Sequence, residues 1–349
     1  ASMSLQSGAA VKTTTIGFTE ATHDERSHAR QVATLFSTDH REQVLGLEAM
    51  SLIPRIAATY GEPFADSSAL PTFLVCQATR DEVTVALSGD GGDELFAGYR
   101  RYPFFLREES IRARLPHQLR TPLFSLLGRA YPAFTALPRP LRLKSTFRSL
   151  AENTAESYFR AVSINRPEDV AGMLSGDMPM HDPQARIASL FNEAGTGDPL
   201  RAAQYADLMT WLPGRMLVKI DRASMAHSLE VRPPLLNHEL VEWAMRLPAS
   251  FKLQGGNGKR IFKEAHHARL PRDILYRRKR GFDLPVARWL RAGRGNPLET
   301  LQSTPHWRDC GMLDSAAIER MAEAHRAGRH DYGQELWSVI MFNAFLAQR

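Results

Sequence analysis

Cysteine is scarce in this sequence. Cys76 and Cys310 are the only two cysteines in 349 residues, and neither belongs to a CxxC pair. Small disulfide frameworks and structural zinc sites both depend on several cysteines at recognisable spacings. The sequence therefore argues against either framework and indicates a protein that works in a reducing compartment.

Long apolar runs are also missing. The sequence contains no stretch of eighteen consecutive apolar residues and no charged-then-apolar segment of the secretory type. It has no internal repeat and no low-complexity segment. We therefore expect a protein without a membrane partner, located in the cytoplasm.

The basic residues do not gather into one tract. The net charge is +6 and the isoelectric point is near 9.5, but the arginines are spread among acidic residues. Surfaces that bind nucleic acids usually combine clustered basic residues with aromatic ones. We expect no nucleic-acid partner, although an RNA-modifying ATP pyrophosphatase stays open. The charge also suits a polyphosphate substrate or a solvated basic surface.

What the sequence does contain is an alternation of strand and helix patterns over its first hundred residues. Hydrophobic residues make up 43% and charged residues 23% of the chain, as in ordinary globular proteins. The patterns predict strands at 9–18, 42–45 and 83–87, and helices at 24–36, 47–60 and 67–78. Ser67 or Ser68 is the expected cap of the last helix. This alternation predicts an α/β fold with a parallel sheet.

The stretch at 83–99 combines a buried-strand pattern, a glycine-rich turn and an acidic helix start. Three glycines in four positions let the backbone approach a ligand closely. Phosphates often bind at helix N-termini, but Asp90, Asp93 and Glu94 would repel a bare phosphate. Mg²⁺ resolves this conflict because it binds one or two carboxylates together with phosphate oxygens. The stretch therefore predicts a magnesium–polyphosphate site, with an acidic turn between a core strand and a helix as the alternative.

The composition changes near residue 105. Residues 107–143 are rich in arginine, leucine and proline, and five prolines between Pro116 and Pro140 predict a series of short helices. From residue 149 the apolar spacing is helical. We therefore expect a nucleotide-binding α/β part at 1–105 and a mainly helical lobe at 106–349.

Four segments, in order, resemble the synthetase domain of the asparagine synthetase family. The segment Ser88–Tyr99 is similar to the second nucleotide-site motif of that domain. Its sequence is Ser-Gly-Asp-Gly-Gly-Asp-Glu-Leu-Phe-Ala-Gly-Tyr. The other three matches are Glu62–Pro71, Asp221–Ala226 together with Glu230–Arg232, and Arg278–Phe282. The four matches span most of the chain.

The resemblance implies a fold and a reaction. The fold is the parallel-sheet adenine-nucleotide domain of PP-loop ATP pyrophosphatases, followed by a mostly helical lobe. In the reaction a carboxylate, with aspartate as the first expectation, is adenylated with release of pyrophosphate. Ammonia then gives the amide, asparagine, and AMP. ATP and Mg²⁺ are the implied cofactors, and the ammonia is implied to come from glutamine in a glutaminase domain outside this chain.

The first pyrophosphate loop of the family, Ser-Gly-Gly-x-Asp-Ser, does not occur in this sequence. The resemblance places that loop just before Ala1. We therefore expect the chain to begin inside the first helix of the domain, without the first strand and that loop. Such a chain is expected to be inactive alone.

The resemblance also implies roles for individual residues. Asp93 is the implied Mg²⁺ contact. Asp90 is the implied base, which takes a proton from ammonia as it attacks. Lys279 is the lysine implied to contact the α-phosphate and the leaving pyrophosphate. The residues implied to contact ATP or pyrophosphate are Ile16, Gly17, Phe18, Ser88, Gly89, Asp90, Lys259 and Lys279. The residues implied to border the acceptor are Glu62, Asp66, Ser67, Asp221 and Arg222. Each of these roles has a plainer alternative. The lysines could be solvated surface charges, Asp221 and Arg222 could form a surface ion pair, and Ser67 could cap a helix.

Two positions depart from the pattern of the family. Asn237 stands where aspartate is usual, and Pro234 replaces an apolar residue. The acceptor therefore stays open. The segments Glu62–Pro71 and Ser88–Tyr102 resemble relatives from bacterial exopolysaccharide clusters, whose acceptor is uncertain, at least as well as they resemble the housekeeping enzyme. The alternatives are an amidotransferase acting on another carboxylate and a non-catalytic nucleotide-binding relative. The sequence leaves a homodimer open.

Overall fold

A computed structural model describes residues 1–20, 24–131, 143–176, 178, 181–277, 284–291 and 297–349. The strands are β1 Lys12–Phe18, β2 Asp39–Leu45, β3 Val85–Leu87 and β4 Glu230–Arg232. The helices of the first part are α1 Ser2–Gln6, α2 Arg26–Leu35, α3 Ile53–Tyr60, α4 Ala69–Arg80, α5 Gly92–Leu95 and α6 Arg101–Arg112.

The rest of the described chain consists of helices and connecting loops, apart from β4. Its α-helices are α7 His117–Ala130, α8 Lys144–Ala151, α9 Thr154–Val162, α10 Pro167–Ala171, α11 Pro183–Glu193, α12 Pro199–Met209, α13 Val218–Met225, α14 His238–Arg246, α15 Ala249–Lys252, α16 Arg260–His266, α17 Arg272–Leu275, α18 Val286–Trp289, α19 Pro297–Ser303, α20 His306–Asp309, α21 Ser315–Arg326 and α22 Gly333–Leu346. Two short 3₁₀ helices, Leu47–Leu52 and Pro234–Leu236, and a π-helix at Leu212–Leu217 complete the set.

The four strands form two parallel pairs. β1 pairs with β2 from Lys12↔Asp39 to Phe18↔Leu45, and α2 packs against both strands. β3 pairs with β4 over three residues, although these strands are far apart in the sequence. Within the described part of the chain the two pairs are separate sheets. The predicted α/β class with parallel pairing is confirmed at this level.

Strand β3 is less covered than its apolar sequence predicted. Val85 and Leu87 are 40% and 56% exposed. They point to the same face because side chains alternate along a strand, and β3 pairs with β4 alone among the described residues. The expectation of a buried strand was therefore wrong for this pair of side chains.

The predicted helix at 47–60 is divided. A 3₁₀ helix ends at Leu52, and α3 then begins at Ile53 with Pro54 in its first turn. Proline has no N–H and fits only the first turn of an α-helix. An unbroken α-helix through Pro54 would have lost a hydrogen bond, so the new helix starts there.

Prolines break the region after residue 105 less than predicted. Pro116 lies just before α7, as expected, but Pro122 lies inside this helix. α8 packs along α7, and the hydroxyl of Thr121 donates to the carbonyl of Ala151 at 3.0 Å. Tertiary packing of this kind overrides a local preference. The prolines from 132 to 140 lie outside the described residues.

The largest core cluster joins the beginning and the end of the chain. It contains Ile16 of β1, Leu70 and Phe73 of α4, and Trp337 and Ile340 of α22. A second cluster joins α6, α9, α11 and α12. The boundary near residue 105 remains a prediction. Among the described residues, no helix is both long and apolar enough to span a bilayer.

Leu70→Ala should destabilise the fold strongly. Leu70 is fully buried, whereas Leu126 is 66% exposed. Truncating Leu70 removes buried contacts and leaves a cavity, so urea denaturation should give a loss of about 2–5 kcal/mol in unfolding free energy. Leu126→Ala makes the same change on the surface and should stay within about 0.5 kcal/mol of the wild type. Equal losses in both variants would contradict the position of Leu70 in the core.

Candidate active site

The acidic loop lies at the carboxyl end of β3, where parallel sheets usually bind their ligands. The Ser88 amide donates to the Arg232 carbonyl at 3.0 Å, which ties the start of the loop to β4. The Ser88 hydroxyl donates to Asp90 Oδ2 at 2.7 Å. These bonds hold the Asp90 carboxylate beside the strand end.

Gly91 makes the turn that follows possible. Its φ is +87°, in the left-handed region that favours glycine. A Cβ at this position would lie 2.2 Å from Leu236 Cδ2, so a larger residue has no space either. Helix α5 then begins at Gly92 and carries Asp93 and Glu94 in its first turn.

Asp93 contacts Lys259, which is distant in the sequence. Lys259 Nζ lies 2.9 Å from Asp93 Oδ1, and both side chains are partly buried. The Lys259 amide donates to the Phe96 carbonyl at 2.7 Å, and its φ of +57° turns the chain into α16. The structure thus brings together the predicted metal contact and one predicted phosphate contact.

Two glycines make this contact possible. A Cβ at Gly98 would lie 1.9 Å from Asp93 Oδ1 and 2.3 Å from Lys259 Cε. A Cβ at Gly258 would lie 2.0 Å from the Ala97 carbonyl oxygen. Sequence reasoning assigned no role to either residue, although both lie in glycine-rich stretches next to the predicted site.

The donor set fits a magnesium ion that is shared with phosphate. Within the described residues, no group of three or more His, Cys, Asp or Glu side chains is arranged to hold a metal. Mg²⁺ does not need such a cage, because it commonly binds one or two carboxylates, water and substrate phosphates. The single carboxylate of Asp93 suits this mode.

Glu94 supports the loop from inside. Its side chain is buried, and the Tyr99 hydroxyl donates to Glu94 Oε1 at 2.6 Å. Trp211 Nε1 donates to the Tyr99 oxygen at 3.1 Å. Burial raises the pKa of Glu94, despite the lowering effect of the Tyr99 hydrogen bond. This residue therefore acts as an internal support, a role that sequence reasoning missed.

A buried lysine and glutamine hold the end of α5. Gln204 Nε2 donates to the Leu95 carbonyl at 2.9 Å, and Lys252 Nζ donates to Gln204 Oε1 at 2.9 Å. Burial lowers the pKa of Lys252 to about 8. These contacts connect α12 and α15 to the acidic loop.

The end of β1 carries the predicted adenine contacts. Ile16 and Phe18 are buried, and a Cβ at Gly17 would lie 2.4 Å from Asp24 Oδ1. A cavity of about 340 Å³ lies along β1. Its lining residues include Ile16, Phe18, Val75, Ile274 and Arg277.

A second cavity, of about 450 Å³, lies beside Lys259 and also reaches Ile274 and Arg277. The two cavities are therefore neighbours on either side of this segment. The predicted catalytic residue Lys279 lies outside the described residues, two positions beyond Arg277.

Asp66 belongs to a separate buried cluster. Its Oδ2 lies 2.9 Å from Arg215 Nε and 3.3 Å from Lys219 Nζ. Its Oδ1 accepts hydrogen bonds from the Ser68 amide at 3.0 Å and hydroxyl at 2.7 Å. Burial alone would raise the pKa of Asp66, but the charges of Lys219 and Arg215 and these hydrogen bonds hold it well below its usual range.

Asp66 binds the Ser68 amide immediately before α4 begins at Ala69. Ser68 precedes α4, but its side chain makes no capping hydrogen bond, so the expected serine cap was wrong. Arg215 comes from the π-helix at Leu212–Leu217, a geometry often found at functional sites. Of the other residues predicted near the acceptor, Ser67 is buried, whereas Glu62, Asp221 and Arg222 are exposed.

Fold and site together define an α/β protein with an acidic, lysine-paired loop at the carboxyl end of a parallel strand, the place where such sheets usually bind their ligands. Comparison with known proteins identifies the family. The asparagine synthase family model matches residues 1–347, and the chain belongs to this family.

Curated relatives agree with this assignment. A putative glutamine-hydrolysing asparagine synthetase of Mycobacterium tuberculosis (strain H37Rv) is 33% identical over 90% of this chain and 46% of its own length. Glutamine-hydrolysing asparagine synthetase 1 of Bacillus subtilis is 26% identical over 95% of this chain and 51% of its own length. The chain spans about half the length of these relatives.

Gly98→Ala should break the Asp93–Lys259 contact. The added methyl group would overlap the Asp93 carboxylate, with the distances given above, and either side chain must move away. We expect Mg²⁺-dependent nucleotide binding to weaken about tenfold or more, the size of one lost charge-assisted hydrogen bond. Isothermal titration with Mg-ATP on the full-length natural protein measures this. Gly197→Ala, at a position with nothing within 4 Å, is the matched control. Unchanged binding in Gly98→Ala would contradict the geometry.

Asp66→Asn should destabilise the protein in a pH-dependent way. At pH 7 we expect a loss of about 3–5 kcal/mol, because the buried charge of Lys219 loses its partner. The pKa of Asp66 is lower in the folded than in the unfolded chain, so its stabilising effect is present above the ordinary value of 3.8 and declines as the pH falls below it. Denaturant titrations from pH 7 to pH 3 should therefore show the difference between variant and wild type shrinking. Asp221→Asn, at an exposed aspartate, serves as the control, and a gap that grows on acidification would refute the assignment.

Proposed function

We propose that the protein to which this chain belongs catalyses ATP-dependent amide formation. A carboxylate attacks the α-phosphate of ATP to give an acyl-adenylate and pyrophosphate, and ammonia then displaces AMP to give the amide. The observation that carries this proposal is the Asp93–Lys259 contact at the carboxyl end of β3, in a chain of the asparagine synthase family. The two parallel strand pairs would then belong to a PP-loop pyrophosphatase-like sheet.

Asp93 would hold the magnesium ion, with Lys259 beside it. When bound, Mg²⁺ would neutralise charge that develops on the phosphates as pyrophosphate leaves. Lys259 adds a positive charge at the same place, in a partly buried position where charge interactions are stronger than in water. Lys279 is proposed to contact the α-phosphate.

Asp90 would act as the base. Its carboxylate is held by the Ser88 hydroxyl at the strand end. Its other oxygen has no hydrogen-bond partner among the described residues and would take a proton from ammonia as it attacks. Ser88 and Gly89 would contact pyrophosphate, and the end of β1, with Ile16, Gly17 and Phe18, would contact adenine through its backbone. The cavity along β1 provides space for the adenine end of ATP, and the cavity beside Lys259 lies next to it.

The acceptor and the ammonia source are proposed from the relatives. Their names point to aspartate as acceptor and to glutamine as ammonia source, the latter hydrolysed in a separate glutaminase domain. Glu62, Asp66, Asp221 and Arg222 remain the candidates for the acceptor side. Of these, Asp66 would act indirectly, by fixing Arg215 and Lys219. A cytoplasmic location fits this metabolic role.

Pyrophosphate release tests the proposal. The full-length natural protein is supplied with Mg-ATP, ammonia and one carboxylate at a time, beginning with aspartate. We expect carboxylate-dependent release, and we expect Asp93→Asn to lower its rate by about 10²–10³, the usual cost of losing one stabilising group for developing charge. Asp81→Asn, at an exposed aspartate outside the loop, should keep the wild-type rate. If the folded protein releases no pyrophosphate with any of the carboxylates, this result would support a non-catalytic nucleotide-binding relative instead.

A further inference from the structure

The cavity beside Lys259 is a cleft between two helices, which we name the α6–α16 cleft. One wall is formed by Arg100, Pro103, Phe104 and Arg107, which follow the i, i+3, i+4, i+7 spacing of one helix face. The other wall carries Lys259, which directly precedes α16, and Lys263 of α16. Residues 97–99, 256–258 and 274–277 complete the lining. Its volume of about 450 Å³ suits a small organic ligand.

The lining of this cleft has one sign of charge. It contains three arginines and two lysines and, among the described residues, no aspartate or glutamate. Lys259 is paired with Asp93, and Arg277 is paired with Glu25. Arg100, Arg107 and Lys263 have no ion-pair partner in the described part of the chain. Three cations around one space, without acids to neutralise them, attract an anion.

The cleft also has apolar walls, and its cations lie near aromatic rings. Phe104 is 54% and Tyr276 is 43% exposed. The Arg107 guanidinium lies 5.8 Å from the centre of the Phe104 ring, and Lys263 Nζ lies 5.1 Å from the centre of the Tyr276 ring. Such contacts reduce the freedom of long basic side chains before a ligand arrives. A carbon skeleton profits from the apolar surface, whereas a bare phosphate chain does not.

We propose that the α6–α16 cleft binds the acceptor, and that this acceptor is an organic acid with two or more negative groups and without an ammonium group. The inference rests on the proposed function, and it places the other negative groups of the acceptor in this cleft rather than at Glu62, Asp221 and Arg222, which do not line it. One carboxylate would lie toward Lys259, next to the nucleotide, and the others would contact Arg100, Arg107 or Lys263. An α-ammonium group, as in free aspartate, would meet five cations and no carboxylate among the described lining residues. The cleft therefore favours a non-amino polyacid over aspartate.

Binding of a defined polyacid to the full-length natural protein is the first test. The probe is tricarballylate (propane-1,2,3-tricarboxylate), titrated calorimetrically in low salt. We expect Arg107→Gln and Lys263→Gln each to weaken binding about fivefold or more, the size of a partly exposed charge pair. Arg114→Gln removes the same charge at an exposed position outside the cleft and should leave binding unchanged. L-Aspartate should bind the wild type more weakly than tricarballylate.

Competition then separates the acceptor from the phosphates of ATP. With saturating Mg-ATP present, tricarballylate should still bind the wild type. If Mg-ATP or tripolyphosphate displaces it, the cleft holds the phosphate chain and the inference is overturned. Equal affinity for wild type, Arg107→Gln and Lys263→Gln would overturn it as well.

Activity of the full-length protein separates this inference from the proposed function. We expect Arg107→Gln to raise KM for the polyacid about fivefold or more while KM for ATP is unchanged. Pyrophosphate release that prefers aspartate and is insensitive to both cleft variants would overturn the inference and leave the proposed function intact. If no acid supports release while Arg107-dependent binding persists, the proposed function falls and the cleft remains an acid-binding site.

Discussion

The contact between Asp93 and Lys259 is the constraint on which the rest of the site depends. A carboxylate and an ammonium group 2.9 Å apart must be delivered by two segments that are distant in the chain. This requires glycine at 98 and 258, where any Cβ would collide with the other segment. It also requires the unusual positive φ of Lys259. Two glycines and one strained backbone conformation are therefore needed for a single charged contact. Such local strain is expected at functional sites.

Buried polar networks keep this contact in place. Glu94, Tyr99 and Trp211 form a hydrogen-bonded chain beneath the loop, while Gln204 and Lys252 hold the end of α5. Each buried polar group in these chains has a partner, which is necessary because an unpaired one is costly. The helical part of the chain thus does more than cover the sheet, because it supplies α12, α15 and α16 as the supports of the acidic loop.

Much of this arrangement follows from the sequence. The alternation of strand and helix patterns predicted an α/β fold with parallel strands. The sequence Ser88–Tyr99 predicted an acidic loop at the end of a strand. The partners could not be predicted, because they depend on tertiary contacts rather than local spacing. Nothing local indicates that Glu94 turns inward, that Asp66 meets Arg215 and Lys219, or that Pro122 continues a helix packed against α8. The same limit applies to the α6–α16 cleft, whose two charged walls come from separate parts of the chain.

The central claim is that Asp93 and Lys259 act as one unit in carboxylate activation. A double-mutant cycle on ATP–pyrophosphate exchange by the full-length protein tests it most directly, with wild type, Asp93→Asn, Lys259→Met and the double variant. Residues that act together show strongly non-additive losses. We expect the double variant to exchange about as slowly as the slower single variant. Losses that multiply in the double variant would contradict it, since the two residues would then act independently.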